Sequence, residues 1–317
     1  MLAIPAVDES LERVREGLER RVVTLGGRVG DHLAEYIGRP GKMLRARYTL
    51  LLGAALGADQ GLCEKVARAV ELVHNASLLH DDCIDEALLR RGVPTPNARF
   101  GDRTGILLGD LAFTEGMAEA AAVSPQAVAE LVRAVREMTV GELQEEYLCG
   151  SLNVSLEGYY GVAVRKTAAL FDWAGRALSG CSPLEHDREN PAKLGRSAGI
   201  LLQIIDDIHD YTLDEDTAGK DPGQDFANGR LTLPAILALD DEETRPRFLE
   251  LWQSRARDPE AFDKALALLQ ERGHLEAARG IAREIMEGMI PMAEALPERE
   301  AAGRMKEFLQ LLFAREF

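Results

Sequence analysis

The residues best suited to chemistry form two copies of an acidic motif, Asp-Asp-x-x-Asp, which lie far apart in the chain. The first copy spans Asp81–Asp85 and the second spans Asp206–Asp210. Each follows a long stretch of helical apolar periodicity, which indicates a helix that packs in the interior. Burying several carboxylates together costs much free energy unless cations neutralise them. Because Mg²⁺ prefers hard oxygen ligands, two facing clusters predict several Mg²⁺ ions that hold a polyphosphate.

The first motif has the spacing of a shared metal site. Asp81 and Asp85 are four residues apart, so both project from one face of a helix. Asp82 lies about 100° around that helix and can support the site from the side. His74 lies two turns before Asp81 on a similar face. An isolated motif of this kind is often a solvated helix face, but the apolar flanks and the second copy favour a metal site.

The second motif repeats this arrangement. Asp206 and Asp210 are again four residues apart, and Asp207 follows Asp206 directly. Gln203 lies one turn earlier on the same helix face. The same ligand chemistry is therefore expected at both motifs.

Basic residues follow both motifs. Arg90 and Arg91 come shortly after the first, and a Gly-rich loop with Lys220 and Arg230 comes after the second. Such cations beside carboxylates could be surface salt bridges, which contribute little to stability. Next to a metal site they are better suited to bind phosphate oxygens, since a guanidinium fork matches phosphate geometry.

Composition and periodicity predict an all-α protein. Apolar residues make up 46% of the chain and aromatic residues only 5%, with Ala, Leu, Glu and Arg abundant. No convincing strand alternation occurs, and long helices joined by short polar turns predict one large helical bundle over residues 1–317. Helical periodicity covers residues 8–25, 42–57, 62–90, 104–122, 125–149, 155–179, 187–213, 231–239, 242–254, 259–271, 274–295 and 298–315.

Two serines carry helix-start signals. Ser124 precedes Pro125, which predicts an N-cap followed by proline in the first turn. Ser182 and Glu185 have the spacing of a capping box.

Charge and cysteine usage limit the partners and the compartment. The formal net charge of −16 argues against a nucleic-acid or anionic-membrane partner. Four cysteines without paired or zinc-binding spacing predict a reduced cytoplasmic protein. The first residues lack the pattern of a signal peptide, and the longest apolar run, residues 48–58, is too short to cross a bilayer. We therefore expect a soluble protein without a transmembrane segment.

The order of these elements resembles the trans-polyprenyl (head-to-tail isoprenyl) diphosphate synthases over almost the entire chain. Each matched element alone is a modest signal, but the ordered set is specific. The elements are Gly41-Lys42-x-x-Arg45, Glu71 to Gly92 with the first motif, Gly141-Glu142-x-Gln144, Lys166-Thr167-Ala168, Gln203 to Asp210, and Gly219-Lys220-x-x-Gly223-x-Asp225. The resemblance implies a bundle of about 12 or more helices around a central cavity and a homodimeric enzyme.

The resemblance also implies a role for each matched residue. Isopentenyl diphosphate would be bound by Lys42, Arg45, His74 and Arg91. Direct Mg²⁺ ligands would be Asp81, Asp85 and Asp206, with Asp82, Asp207 and Asp210 acting directly or through water, for about three ions per active site. The allylic diphosphate would be held by Arg90, Lys166 and Lys220. Thr167 and Gln203 would lie near the developing allylic cation.

Plainer interpretations remain open for some of these positions. Lys42 and Arg45 could form a solvated basic helix start, His74 could be a core histidine, and Lys166 could extend its stem along apolar neighbours. Two residues depart from the family pattern, which usually has Leu at His209 and often Lys at Arg230. Arg230 keeps the charge but not the lysine geometry, and His209 is better explained as a solvated or packed side chain than as a phosphate ligand.

Product length depends on what closes the far end of the cavity. Each isoprene unit buried contributes about 3–4 kcal/mol, at about 0.8 kcal/mol per CH₂, so only a steric floor stops extension. Ala76 and Ser77 precede Asp81 by about one turn and are small where the family places aromatic residues for short products. Leu72 and Val73 lie a turn deeper. We therefore expect a product of about six to ten isoprene units, unless Ala76 is small only to pack against another helix.

Three other functions would share part of this pattern. A class I terpene cyclase also carries an aspartate-rich helix, but after Asp206 the chain lacks the second cyclase metal motif, Asn/Asp-x-x-Ser/Thr-x-x-x-Glu. A short-chain geranylgeranyl or farnesyl diphosphate synthase differs only in product length. A non-catalytic subunit of a heteromeric synthase should have lost the carboxylates, and all six are present.

Overall fold

The computed structural model describes residues 5–23, 26–38, 43–90, 92–212 and 222–314. These residues are helical almost throughout, which confirms the all-α prediction. The helices are α1 (Pro5–Val23), α2 (Gly27–Gly38), α3 (Leu44–Ala55), α4 (Gln60–Ile84), α5 (Pro96–Phe100), α6 (Asp102–Ala121), α7 (Pro125–Leu148), α8 (Leu156–Ala163), α9 (Ala169–Cys181), α10 (Asn190–Thr212), α11 (Gln224–Asn228), α12 (Leu233–Asp240), α13 (Arg245–Ser254), α14 (Ala261–Glu271), α15 (His274–Glu294) and α16 (Arg299–Ala314). A π-helical turn, Val164–Ala168, joins α8 to α9, and the strands β1 (Leu89–Arg90) and β2 (Val93–Pro94) form a small antiparallel hairpin.

The chain forms two compact units that interleave along the sequence. Unit 1 comprises Met1–Val135, Leu170–Gly195 and Pro291–Phe308, and unit 2 comprises Arg136–Ala169, Arg196–Ile290 and Leu309–Phe317. The first acidic motif belongs to unit 1 and the second to unit 2. The expectation of one domain over residues 1–317 stays a prediction.

Helix α4 is central to unit 1 because it carries the first motif at its C-terminal end. It begins after Asp59, whose side chain accepts a hydrogen bond from Leu62 N at 3.1 Å and so caps the helix. Its long side packs on α6 through glycines: a Cβ on Gly109 would lie 2.3 Å from the His80 ring, and one on Gly116 would lie 2.9 Å from Val73. Close approach of the two helices therefore requires these small residues.

Helix α4 ends at Ile84, so the predicted helix over 62–90 was too long. Asp85 closes the last turn with a hydrogen bond from its N–H to Asp81 O at 2.8 Å. Glu86 then adopts a left-handed conformation, with φ 51°, which a continuing helix cannot accommodate. The hairpin follows, and Gly92 supplies the positive φ of its turn.

In unit 2, α10 carries the second motif, and glycines bring two helices against the π-helical turn. A Cβ on Gly199 of α10 would lie 2.4 Å from Ala168 Cα, and one on Gly141 of α7 would lie 2.6 Å from Lys166 N. Both glycines lie within helices where an alanine would be the better helix former. These glycines allow α10 and α7 to approach the π-helical turn closely, and this contact holds the turn in place.

An aromatic cluster of unit 2 supports the residues that follow the second motif. Phe226 of α11 is buried between the rings of Trp252 and Phe262, with centroids 5.3 Å and 6.0 Å away. Gly223, at φ 76°, faces the Phe262 ring where no Cβ would fit. This packing fixes the first turn of α11, which contains Asp225.

No helix among the described residues combines the length and the apolar character that crossing a membrane requires.

Candidate active site

The middle aspartate of the first motif is buried and bonded to protein groups. Asp82 has no exposed surface. Its Oδ2 accepts a hydrogen bond from the Tyr36 hydroxyl at 2.7 Å, and its Oδ1 accepts one from Arg90 Nε at 2.6 Å. The burial cost of this carboxylate is thus offset by one cation and one neutral donor.

The outer aspartates of the first motif are more accessible. Asp81 is half-buried and Asp85 is exposed, at the end of α4. The Asp85 N–H still bonds Asp81 O, so the helical turn between them is complete and both side chains leave the same face. These two carboxylates have the oxygen chemistry that Mg²⁺ prefers.

Two of the residues predicted to bind isopentenyl diphosphate, Arg45 and His74, lie on adjoining helical turns of unit 1. The buried Glu71 carboxylate accepts a hydrogen bond from Ala46 N at 2.9 Å, at the N-terminus of α3. This contact holds the first turn of α3, which carries Arg45, against the turn of α4 that leads to His74. Arg45 also lies over the Phe171 ring, 5.8 Å from its centroid. Lys42 and Arg91, the other two, lie outside the described residues.

The four proposed chain-length residues occupy two different sides of α4. Leu72, Val73 and Ala76 are fully buried, with Val73 against α6 at Gly116. Ser77 is half-buried and its hydroxyl donates to His74 O at 2.9 Å. At about 100° per residue, Ser77 lies about 40° from Asp81 around the helix and Ala76 about 140°. Ser77 is therefore the one that shares the face of Asp81.

The middle aspartate of the second motif is also buried. Asp207 Oδ1 accepts from Gln203 Nε2 at 2.9 Å and Oδ2 accepts from Leu233 N at 3.0 Å. Burial raises the pKa of Asp207 to about 7, against the lowering effect of these donors and of the nearby Tyr159 hydroxyl. The negative charge of Asp225 adds to the increase. A bound cation would favour the charged form of this carboxyl.

The other aspartates of the second motif differ in exposure. Asp206 is exposed, whereas Asp210 is buried and its Oδ2 accepts from Asp225 N at 3.2 Å. The Asp210 carbonyl accepts from Gly223 N at 2.8 Å, which ties α10 to the start of α11. His209 is half-buried on α10. Lys220 lies outside the described residues.

Lys166 of the π-helical turn is held by two glutamates of α7. Its Nζ lies 2.9 Å from Glu142 Oε2 and also donates to Glu145. Arg230 approaches the same Glu145 carboxylate, with Nε 3.7 Å from Oε2. The π-helical turn, a feature often found at functional sites, thus presents a lysine beside a second cation.

Thr167 and Gln203 form one hydrogen-bonded chain with Asp207. The Thr167 hydroxyl donates to Gln203 Oε1 at 2.6 Å, and Gln203 Nε2 donates to Asp207. An ionised carboxylate can only accept, so Asp207 in its charged form fixes which end of the Gln203 amide faces Thr167. The two residues that the sequence associates with the allylic cation are therefore in direct contact.

The accessible carboxylates of each motif, taken by itself, fit a divalent cation in chemistry. Asp81 and Asp85 in unit 1, and Asp206 in unit 2, are hard oxygen ligands of the kind that Mg²⁺ takes. Within the described ranges, no three His, Cys, Asp or Glu side chains stand together as a preformed metal site.

Several residues that hold the site were not singled out from the sequence. Tyr36 on α2 bonds Asp82, Glu145 bonds Lys166, and Tyr159 on α8 lies beside Asp207. Burial and the Asp207 charge raise the pKa of Tyr159 well above its ordinary value, so this phenol stays protonated. Glu145 was within reach of sequence reasoning, since it lies one turn after Glu142. Tyr36 and Tyr159 carry no local signal, because each reaches the motif through tertiary packing.

Comparisons with known proteins agree on one family. A sequence model described as polyprenyl synthetase matches residues 28–269, which include both acidic motifs. The octaprenyl diphosphate synthase of Haemophilus influenzae is 30% identical over 301 residues, which cover 92% of this chain and 90% of that protein. A short chain isoprenyl diphosphate synthase of Methanothermobacter thermautotrophicus is 30% identical over 315 residues, covering 96% and 95%.

A solved structure extends the match to three dimensions. The polyprenyl synthase from Caulobacter crescentus CB15, complexed with calcium and isoprenyl diphosphate, superposes with a TM-score of 0.86 at 28% identity. The match covers 99% of this chain and 98% of that one.

Proposed function

The chain belongs to the polyprenyl synthetase family, and from that premise we propose that it condenses isopentenyl diphosphate with an allylic diphosphate primer, head to tail, to make an all-trans polyprenyl diphosphate. The observation that carries the proposal is the family match over residues 28–269, which spans both Asp-Asp-x-x-Asp motifs on their helices. Diphosphate is the leaving group. The family membership confirms the resemblance seen in the sequence and makes this chain a prenyltransferase.

We propose that the aspartates of both motifs hold the allylic diphosphate through Mg²⁺. The accessible carboxylates of Asp81, Asp85 and Asp206 support direct ligation, and the resemblance adds Asp82, Asp207 and Asp210 directly or through water. When bound, Mg²⁺ would neutralise the charge that develops on the leaving diphosphate. The basic residues Arg90, Lys166 and Lys220 would stabilise the same charge.

A second group of residues would place the nucleophile. Arg45 and His74 lie on adjoining turns of α3 and α4, and with Lys42 and Arg91 they would bind isopentenyl diphosphate. Binding by these residues would hold the double bond of isopentenyl diphosphate next to the allylic carbon that loses its diphosphate. Thr167, through its hydroxyl, and Gln203 would place oxygen dipoles near the cationic carbon. The proton released on bond formation would pass to the departing diphosphate, so no separate protein base is required.

We propose a medium- to long-chain product of about six to ten isoprene units. The small side chains of Ala76 and Ser77, five and four residues before Asp81, support extension of the product. A curated relative at 30% identity is an octaprenyl diphosphate synthase, which favours this range. The relative described as a short chain synthase matches equally well, so the alternative is a geranylgeranyl or farnesyl product.

A homodimer is proposed from the surface of unit 1. Helix α6 buries Leu108 and Ala112 against the rest of the unit yet leaves Ile106 46% and Leu107 67% exposed. A helix that is apolar on opposite sides is expected to be covered on both. Sedimentation of the purified chain would test this: a monomer at micromolar concentration would contradict it. The cytoplasmic location stays a prediction.

The activity test uses the purified chain, labelled isopentenyl diphosphate, Mg²⁺ and each allylic primer, with dephosphorylated products sized by chromatography. Elongation that depends on isopentenyl diphosphate supports the proposal. Consumption of the primer without isopentenyl diphosphate indicates a terpene cyclase instead, and no turnover by the chain alone indicates a non-catalytic subunit. Asp206→Asn should abolish most turnover, whereas Asp263→Asn, on an exposed part of α14, should not.

A further inference from the structure

The three aspartates of the first motif do not have the same environment. Asp81 is half-buried and Asp85 is exposed, but Asp82 has no exposed surface at all. A metal ion that reaches Asp82 would need to approach an oxygen that is sealed from solvent. Both of its oxygens already accept hydrogen bonds, from Tyr36 at 2.7 Å and from Arg90 at 2.6 Å.

The hydrogen bond from Arg90 to Asp82 uses only one of the N–H donors of the guanidinium. Only Nε donates to Asp82, and the two outer nitrogens carry four of the five N–H donors of an arginine. The Arg90 side chain is 32% exposed, so part of it reaches solvent. An Arg held by its inner nitrogen therefore presents a fixed fork to a phosphate.

Hydrogen bonds also hold the backbone near Asp82 and Arg90 in place. Asn97 Nδ2 donates to Asp82 O at 2.9 Å and to Ala87 O at 3.0 Å. Arg90 itself lies in β1 and pairs with Val93 in the hairpin. The inner end of the Arg90 side chain is therefore anchored to the last turn of α4, while its main chain is held in the hairpin.

Tyr36 completes the arrangement from α2. Its side chain is 6% exposed and its hydroxyl occupies the second oxygen of Asp82. Without the Tyr36 hydroxyl, Asp82 Oδ2 would be buried and would lose this hydrogen bond, and the carboxylate could rotate away from Arg90. Tyr36 is thus linked to Arg90 through one buried carboxylate.

We propose that Asp82 is a positioning residue rather than a metal ligand, and that Asp82 and Tyr36 together aim Arg90 at the diphosphate of the allylic substrate. This inference rests on the proposed function, in which Arg90 binds that diphosphate, but it replaces the metal-ligand role that the resemblance gives Asp82. Metal binding by the first motif then belongs to Asp81 and Asp85. Tyr36 acts only through Asp82 and Arg90.

The test compares Asp82→Asn, Tyr36→Phe and Asp85→Asn. Asp82→Asn should raise the KM of the allylic substrate and lower kcat by about tenfold or more, the effect of losing a charge-assisted hydrogen bond. Tyr36→Phe, which keeps the charge, should raise that KM about threefold to tenfold. In both, the KM of isopentenyl diphosphate and the Mg²⁺ concentration for half-activation should stay unchanged. Asp85→Asn should shift the Mg²⁺ requirement.

A binding measurement and two controls complete the design. Calorimetry with inorganic diphosphate and Mg²⁺ should show weaker binding in Asp82→Asn and Tyr36→Phe. Tyr48→Phe, the same change at another fully buried tyrosine of unit 1, should alter neither binding nor kinetics. In an Arg90→Gln background, Tyr36→Phe should have no further effect on the allylic KM.

Three outcomes would overturn the inference. The first is an Mg²⁺ requirement that shifts in Asp82→Asn as much as in Asp85→Asn. The second is diphosphate binding that is unchanged in Tyr36→Phe. The third is a change in the allylic KM on Tyr36→Phe that is the same with Arg90 present as in the Arg90→Gln background. If Asp82→Asn fails to fold, the last two of these outcomes, which are measured on Tyr36→Phe, still decide the inference. An inactive wild-type chain would instead contradict the proposed function, and calorimetry would still test how Asp82 and Tyr36 act on diphosphate binding.

Discussion

Gly141 of α7 lies directly against the backbone of Lys166, so that a Cβ at this glycine would be 2.6 Å from Lys166 N and 3.0 Å from its Cα. No side chain fits this gap without moving the π-helical turn. Because the contact is with main-chain atoms, it cannot be relieved by a rotamer change. The position of the Lys166 ammonium therefore depends on the absence of a side chain on the neighbouring helix.

We predict that Gly141→Ala lowers both stability and activity. Overpacking at such a contact costs about 1–3 kcal/mol, even though alanine is the better helix former. Displacing Lys166 should raise the KM of the allylic substrate. Urea unfolding and steady-state kinetics measure the two effects.

The matched control is Gly161→Ala in α8 of the same unit. No atom lies within 4 Å of a Cβ at Gly161, so this change should be neutral or should stabilise the helix by about 0.5–1 kcal/mol. If Gly141→Ala behaves like Gly161→Ala, the close approach does not position Lys166.

A second prediction concerns the carboxylates around Lys166. Glu145 lies between Lys166 and Arg230, so Glu145→Gln removes a charge that neutralises both cations. The ligand-free protein should lose about 1 kcal/mol of stability. Inorganic diphosphate with Mg²⁺ should then raise the melting temperature of the variant more than that of the wild type, because one carboxylate fewer competes for the cations.

Glu146→Gln is the control for this change, since Glu146 is the neighbouring residue and is exposed. It should match the wild type with and without diphosphate. An equal thermal response in Glu145→Gln and Glu146→Gln would show that Glu145 does not compete with the ligand.

The sequence predicted long elements well because periodicity and caps are local. Helix α7 begins at Pro125, and Ser124 Oγ accepts from Ala127 N at 3.0 Å, as the Ser-Pro pair indicated. The capping box at Ser182 was wrong: its hydroxyl donates to Leu56 O at 2.6 Å, and α10 begins only at Asn190. A distant carbonyl competed successfully for a side chain that local spacing had assigned to a cap.

The sequence could not predict features that depend on tertiary contacts. Helix α2 was missed because it is short and lies between glycines, although it carries Tyr36. The π-helical turn has no signature in a 3.6-residue period, and the hairpin after α4 depends on the left-handed Glu86. The motif aspartates were singled out by their spacing, but which of them is buried depends on Tyr36, Arg90 and other donors outside the motifs.

A third prediction concerns product length. Ser77→Phe places a ring on the face of α4 that carries Asp81, and Ala76→Phe places one at a fully buried site. Each should shorten the product, since chain growth stops where overpacking cancels the gain from burial. Chromatography of dephosphorylated products gives the chain lengths.

The two variants separate a steric floor from simple packing. Ala76→Phe should also destabilise the protein by about 1–3 kcal/mol, whereas the half-buried Ser77 tolerates the ring better. An unchanged length in Ala76→Phe with a shorter product in Ser77→Phe would assign Ala76 to helix packing. Unchanged lengths in both would remove this part of α4 from length control.

A fourth prediction concerns the pH dependence of stability in unit 2. His274, 8% exposed at the start of α15, contacts Thr244 Oγ1 at 3.1 Å and Asp241 Oδ2 at 3.4 Å. Burial lowers the pKa of His274 below its ordinary value of 6.5; Asp241 opposes this and Arg272 adds to it. The helix N-terminus is also unfavourable for a cation.

The sign of the effect follows from proton uptake. The unfolded chain binds the His274 proton near pH 6.5, but the folded protein binds it only at lower pH. The contribution of His274 to the free energy of unfolding should therefore fall as the pH drops from about 7.5 to about 5.5, because this residue takes up more protons in the unfolded state than in the folded state in this window. His274→Gln should remove that part of the slope in urea unfolding curves. Wild type and variant with parallel pH profiles would mean that His274 titrates alike in both states.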